Sequence, residues 1–338
     1  MAERSLAELT TLRLGGPARD VVEAADERAL VDTVAEADAA GEPLLVVAGG
    51  SNLVLPDTPI ERRVVLVRTT GVDVERHDDH VLVRAAAGED WDRLVGRAVH
   101  DGWVGIEALS GIPGSVGATP IQNVGAYGQE VSQTVASLRV WDRRLKGVRT
   151  FANADCGFGY RHSRFKADPG RHVVLDVTFQ LAQGSLGTSV GYAELARRLG
   201  VEIGDRAPLA DVRATVLALR AGKGMVLDAT DHDTWSAGSF FTNPVVDPAT
   251  LPEGAPAWPQ PDGRVKTSAA WLIERASFTR GHGNDRVALS TKHTLALTNR
   301  GGATTADLLA LAREVRDGVE AAYGIRLVNE PVLVGCEL

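Results

Sequence analysis

Gly111-Ile112-Pro113-Gly114-Ser115-Val116-Gly117-Ala118 is followed closely by Gln122-Asn123-Val124-Gly125-Ala126-Tyr127-Gly128. Glycine lets a backbone turn at positive φ and approach a ligand closely. Successive N–H groups in such turns form anion-binding nests. No helix follows at the place a Rossmann G-x-G-x-x-G requires, and the Gly-Lys-Ser/Thr of a P-loop is missing. A second loop, Gly49-Gly50-Ser51-Asn52, follows Pro43-Leu44-Leu45-Val46-Val47-Ala48, an apolar run that reads as a buried strand. Thr11-Leu12-Arg13-Leu14-Gly15-Gly16-Pro17-Ala18 adds a third glycine turn. Each loop alone reads as a plain turn. Two donor-rich loops about sixty residues apart together favour a diphosphate-bearing cofactor.

Around these loops the chain alternates between helix and strand signals. Asp26 caps a predicted helix through Leu30, Val31, Val34 and Ala37 that stops at Gly41. Another carries Trp91, Leu94, Val95 and Ala98 and ends by Gly102. A long one runs from Thr304, with Asp307 three residues on, to Gly324. Val64–Val67, Val81–Arg84 and Val173–Phe179 read as strands. Hairpin-like strands with scattered helices predict an α+β fold rather than a regular βαβ repeat. His77-Asp78-Asp79-His80 lies between two strand signals and reads as a polar hairpin turn, not a metal site. Pro252 to Gly263 reads as an exposed loop.

The 338 residues carry a net charge of -8. A nucleic-acid-binding surface would need clustered Lys and Arg, so no nucleic-acid partner is expected. An acidic chain still accommodates an anionic ligand in a local basic pocket. No apolar run approaches the roughly 18 residues of a membrane span, so no membrane partner is expected. Met1-Ala2-Glu3-Arg4 lacks the apolar region of a signal peptide. Cys156 and Cys336 are the only cysteines and lack metal-site spacing. With no metal expected, buried thiols in a reducing cytoplasm are the default reading.

Leu14-Gly15-Gly16-Pro17-Ala18, Gly49-Gly50-Ser51-Asn52-Leu53 and Gly111–Gly117 resemble the flavin-binding signatures of the UDP-N-acetylenolpyruvoylglucosamine reductase family. Gly238-Ser239-Phe240-Phe241-Thr242-Asn243-Pro244 resembles that family's proton-donor motif. The resemblance runs in order from Arg13 to Gly335. It implies a two-part FAD-binding domain of the vanillyl-alcohol-oxidase type, also called PCMH-like, and a C-terminal α+β substrate domain. The expected division is 1–66 and 67–205 for the two FAD subdomains and 206–319 for the substrate domain, with 320–338 returning near the first. FAD contacts are implied at Gly49, Gly50, Ser51, Asn52, Leu53, Gly111, Ile112, Pro113, Gly114, Ser115, Gly117, Ala118, Asn123, Gly125 and Ala126. NADPH is implied as hydride donor, and the enolpyruvyl ether of UDP-N-acetylglucosamine as substrate, in peptidoglycan precursor synthesis.

That reaction delivers a hydride to C3 of an enol ether conjugated with a carboxylate. Negative charge develops over C2 and the carboxylate and needs preorganised cationic or hydrogen-bonding groups. C2 then needs a positioned acid. The resemblance assigns the acid to Ser239. It assigns Arg161, in Gly159-Tyr160-Arg161-His162, to the substrate carboxylate and enolate, where a permanently charged fork fits two oxygens. This chain has His162 where the family has Asp or Asn. Glu330, in Asn329-Glu330-Pro331-Val332, falls on the catalytic glutamate, and a carboxyl assists an enolate only while it holds a proton. Tyr192 resembles a tyrosine that closes over the diphosphate in one subclass. Lys223 and Lys266 are implied diphosphate-side contacts, and Asn243 a uridine-side contact. The rival reading is an FAD-linked oxidase on the same scaffold, which would need no Ser-Glu-Arg set. Nothing in the sequence suggests a coiled coil or a large apolar interface, so a monomer is expected.

Overall fold

The computed structural model describes residues 3–338. They form two compact units, 19–49 with 61–221 and 3–18 with 50–60 and 222–338. This grouping differs from the three blocks expected from the sequence, because the short segments 3–18 and 50–60 belong with the C-terminal half. Packing explains the difference. Leu12, Leu14 and Val54 are buried in one apolar core with Phe240, Phe241, Leu272, Leu308 and Val315.

In the first unit, β1 (Val21–Ala24), α1 (Glu27–Ala40), β2 (Leu44–Val47) and β3 (Arg63–Val67) build a parallel sheet of order β1-β3-β2. Asp26 caps α1 by accepting from the Ala29 N–H at 2.8 Å, and Gly41 closes it at φ 67°. β3 is buried at every position after its first, as a central parallel strand should be. This local βαβ unit was not visible in the sequence, because Val-Val-Glu-Ala of β1 is too short to show a period.

The larger sheet of this unit is antiparallel. β4 (Val72–Arg76) and β5 (His80–Ala86) flank the polar turn 77–79, where the His77 N–H donates to the His80 carbonyl at 2.9 Å. α2 (Trp91–His100) is capped by Asp90 and buries Trp91, Leu94, Val95 and Ala98. A small hairpin of β6 (Gly125–Ala126) and β7 (Gln129–Glu130) follows. β8 (Val135–Asp142), β9 (Gly147–Ala152), the short α3 (Arg164–Ala167) and β10 (His172–Gln183) complete it, with sheet order β9-β8-β10-β5-β4. Asp142 ends β8 with its carboxylate buried. It accepts from the Arg144 and Leu145 N–H groups and from Arg171, whose Nη2 lies at 2.8 Å. The Arg171 hydrogen bonds hold its pKa at about 2, against the opposing pull of burial. α4 (Ala193–Leu199) and α5 (Leu209–Gly222) share a satellite core around Val190, Leu195, Val212 and Val216.

In the second unit, β11 (Val245–Val246), β12 (Ala257–Pro259) and β13 (Val265–Thr267) form a sheet of order β11-β13-β12. β12 lies inside the expected loop 252–263. It is a wholly exposed edge strand, a position that tolerates its proline. α6 (Ala269–Arg275), the hairpin of β14 (Val287–Leu289) and β15 (Leu297–Asn299), and α7 (Thr305–Tyr323) follow. Thr304 and Asp307 form the capping box of α7, and Gly324 ends it at φ 67°. β16 (Val332–Leu333) pairs in parallel with Leu53–Val54, so the C-terminal segment returns to the early chain. Among the described residues, no helix is long and apolar enough to cross a membrane.

Candidate active site

The two glycine loops meet in the first unit. A β-carbon added at Gly49 would lie 2.5 Å from Gly114 Cα. At Gly117 it would lie 2.5 Å from the Ala87 side chain. The donors of the second loop divide into two sets. Gly111 donates to the Asp92 carboxylate at 2.6 Å, and Val116, Gly117 and Ala118 donate to carbonyls of Glu89, Ala87 and Ser115. The N–H groups of Ile112, Gly114 and Ser115 find no acceptor among the described residues. The Ser115 hydroxyl is buried and likewise has no partner. A buried unmatched hydroxyl beside two consecutive free amides fits the oxygens of a diphosphate. The residues therefore suit the cofactor that the loops suggest.

Asp92 and Arg213 were not singled out from the sequence. Asp92 stands in the first turn of α2 and pairs with Arg213 of α5 at 2.6 and 2.8 Å. Burial tends to raise its pKa, but the Arg213 and Gly111 hydrogen bonds bring it below the ordinary carboxylate value. It anchors Gly111 at φ 71°, where an added β-carbon would strike Leu217 at 2.8 Å. An acidic residue in the first turn of a helix was the available signal, and it reads locally as ordinary helix chemistry.

Gly125 and Ala126 lie on β6, and the turn that follows has φ 50° at Tyr127 and φ 89° at Gly128. Two positive angles match a type I′ hairpin turn. Asn123, at φ 50°, is engaged by the protein on both sides of its amide. It donates to Glu130 at 2.7 Å and the Gly159 carbonyl at 3.0 Å, and accepts from the Ser132 N–H at 3.1 Å. Its side chain therefore braces the hairpin, and its N–H donates to the Pro120 carbonyl at 3.5 Å, which leaves its carbonyl for any ligand contact. Arg161 also has positive φ, 51°, in the turn closed by the Gly159–His162 bridge. Its Nη2 donates to the Gly125 carbonyl at 3.0 Å, and its guanidinium lies over the Tyr160 ring at 5.6 Å. His162 is exposed, and its ring Nδ1 lies 3.3 Å from the Gly157 carbonyl. Three non-glycine residues in strained backbone regions thus gather around one hairpin, a pattern that marks functional sites. The Tyr192 ring meets the Tyr127 ring edge-on at 5.4 Å.

In the second unit the chain bends at Gly238 and Phe240 and is held by two backbone bridges, Ser239 to Ala296 and Phe241 to Asn329. Phe240 and Phe241 are each 1% exposed and pack edge to face at 5.2 Å. Burying each ring contributes about 2–3 kcal/mol. Gly238 has φ 73° with open space around an added β-carbon, so its backbone angle, not crowding, calls for glycine. The Ser239 hydroxyl makes no hydrogen bond to any described residue and is half-buried. The Glu330 N–H donates to the Phe240 carbonyl at 2.8 Å, and Asn52 Nδ2 reaches the Glu330 carbonyl at 3.5 Å. Pro331 lies just before β16, where a strand needs no donor from it. Gly50, at φ 61°, passes so close to the Leu9 carbonyl that a β-carbon would overlap it.

Asn243 accepts from the Ala269 N–H at 3.0 Å with its side-chain oxygen, at the start of α6. Lys266 occupies the middle of the three-stranded sheet, directly between Val245 and Trp258. Lys223 follows the last turn of α5, and the chain beyond closes on itself: the Asp228 N–H donates to Thr234 Oγ1 at 3.0 Å and Thr234 Oγ1 donates to the Asp228 carbonyl at 2.8 Å. Both cysteines are free.

This architecture is that of a flavoprotein: a two-part FAD-binding domain of the vanillyl-alcohol-oxidase type with an α+β C-terminal domain. Residues 18–148 match the family profile described as an FAD binding domain, and 229–334 match that of the UDP-N-acetylenolpyruvoylglucosamine reductase C-terminal domain. A UDP-N-acetylenolpyruvoylglucosamine reductase of Cutibacterium acnes is 57% identical, over 98% of this chain and 90% of its own length. One from Streptomyces avermitilis is 56% identical, over 98% and 94%. The crystal structure of a UDP-N-acetylenolpyruvylglucosamine reductase from Thermus caldophilus superposes with a TM-score of 0.68 at 23% identity, covering 98% of each chain. The chain belongs to the UDP-N-acetylenolpyruvoylglucosamine reductase family.

Proposed function

We propose that this chain reduces UDP-N-acetylenolpyruvoylglucosamine to UDP-N-acetylmuramate, with FAD as prosthetic group and NADPH as reductant. The reaction belongs to peptidoglycan precursor synthesis, and the enzyme works in the cytoplasm as a monomer on a UDP-sugar. Relatives of this name at 50 to 57% identity support the reading. The observation that carries it is Ser239, a hydroxyl with no partner among the described residues on a segment held by bridges to Ala296 and Asn329.

FAD, when bound and reduced, would supply the hydride taken up at C3 of the substrate. Ser239 gives the proton to C2, and its rigid segment sets the reach. Arg161 forks to the substrate carboxylate and draws off the charge that develops there. Glu330, beside Asn52, shares a proton with the enolate. The free amides of Gly114 and Ser115 and the Ser115 hydroxyl hold the cofactor diphosphate. Lys223 and Lys266 offset the charge of the substrate diphosphate, Tyr192 covers it, and Asn243 orients the uridine side.

The test is the visible spectrum of the purified protein. A flavin spectrum bleached by NADPH and restored by the enolpyruvyl substrate is the expected result. Restoration by oxygen alone, with no response to the UDP-sugar, would establish an oxidase instead.

A further inference from the structure

Glu107 lies in the short helical turn Glu107–Leu109, directly before the Gly111 loop, and is 1% exposed. Among the described residues no cation pairs with it. Four neutral donors meet its carboxylate: the Gly105 N–H at 2.7 Å on Oε2, and on Oε1 the Thr188 N–H at 2.6 Å, Gln129 Nε2 at 2.9 Å and the Thr188 hydroxyl at 3.1 Å. Gln129 is fixed in orientation, because its oxygen accepts from the Ala108 N–H at 2.7 Å. Its Nε2 also donates to the Thr188 hydroxyl at 2.7 Å. The backbone of residues 184–192 presses against the carboxylate: a β-carbon added at Gly187 would lie 2.7 Å from Glu107 Oε1. A buried carboxylate is expensive unless every lone pair is matched, and a fully matched network is rigid.

Three segments converge on this one side chain. The first is the turn that leads into Gly111. The second is β7, in the hairpin that carries Gly125, Ala126 and Tyr127. The third is the arm 184–192, which ends at Tyr192. The arm pairs along its length with residues 204–209, through Gly187 to Ala207 and Val190 to Asp205, and it meets the hairpin side at two points, Thr188 on Glu107 and Tyr192 on Tyr127. We propose that Glu107 is a positioning residue that clasps the arm to the cofactor-side hairpin and thereby sets the stance of Tyr192 toward the UDP-sugar. The role of Tyr192 in this proposal rests on the reductase reading; the clasp itself does not.

Glu107→Gln tests it. Both carboxylate oxygens receive backbone N–H groups, so however the new amide turns, its NH2 opposes either the Gly105 or the Thr188 N–H. Amide hydrogen exchange at Thr188 should quicken at least about tenfold while the β10 amides stay unchanged. The KM for the UDP-sugar should rise at least about tenfold, with FAD content unchanged and NADPH reduction of the flavin within about twofold. Unaltered exchange at Thr188, an unaltered KM, or joint loss of flavin and both half-reactions overturns the proposal. If the wild-type protein shows no reductase turnover, the reductase reading fails while the Thr188 exchange still decides the clasp. Should Glu107→Gln not fold, Thr188→Val decides. It removes one donor to Oε1 and should raise KM about threefold with flavin reduction unaltered, and no rise overturns the proposal.

Discussion

The backbone N–H of Glu330 donates to the carbonyl of Phe240 at 2.8 Å. That bond puts the segment of the expected acid, Ser239, beside the segment of the expected glutamate. Phe240 and Phe241 hold the arrangement from below, since both rings are buried in the core of their unit. A serine is a weak acid, so fixed placement has to supply what its acidity does not.

Ser239→Ala should therefore leave the first half-reaction intact and stop the second. Flavin reduction by NADPH is expected at the wild-type rate, while reoxidation by the enolpyruvyl substrate falls about 10²–10⁴-fold. Stopped-flow absorbance of the two half-reactions checks this, and wild-type reoxidation would remove Ser239 from the role of acid.

Arg161 sits in a strained backbone conformation. At φ 51° a non-glycine residue is disfavoured by about 1–2 kcal/mol. Arg161→Gly relieves this and loses the bond to the Gly125 carbonyl, worth about 1 kcal/mol. The melting temperature should stay within about 3 °C of wild type while turnover falls at least about a hundredfold. A large drop in melting temperature would show that the arginine is mainly structural.

Ser115→Ala separates cofactor binding from folding. The hydroxyl is buried without a partner, so deleting it should leave the FAD-free protein equally stable or up to about 1 kcal/mol more stable. Lost contact with a charged diphosphate should weaken FAD binding about tenfold or more, read by flavin fluorescence titration. Unchanged FAD affinity would place the diphosphate elsewhere.

Asp142 should set part of the acid sensitivity. Arg171 holds its folded-state pKa at about 2, below the ordinary value of an unfolded chain. A depressed carboxyl stabilises the fold above the unfolded pKa and loses that contribution as pH falls toward the folded one. The window is roughly pH 5 to 2, and the contribution is about 2 kcal/mol. Denaturant titrations of wild type and Asp142→Asn should differ by about that amount at pH 7 and converge toward pH 2. A gap that persists at low pH would mean the loss comes from packing and not from charge.

Much of the fold was legible because the signals are local. Asp26 and Gly41, or Thr304 with Asp307 and Gly324, mark helix ends through hydrogen bonds that span only a few residues. The polar turn between β4 and β5 was readable for the same reason. The parallel pairing of β1 with β3 was hidden, since a four-residue strand shows no period and its partner lies some forty residues on. The edge strand β12 was hidden in a stretch whose prolines and glycines read as loop.

The candidate site divides in the same way. The sequence by itself singled out the glycine loops, the Ser239 segment, Arg161 and Glu330 as candidates, because their motifs resemble those of the family in the same order. Only the tertiary structure decided which loop amides are free, that Asn123 braces a hairpin, and that Asp92 and Glu107 anchor the loops. Free donors, matched carboxylates and strained turns are properties of neighbours brought together by long-range packing. A chain read one residue at a time holds no record of which neighbours those are.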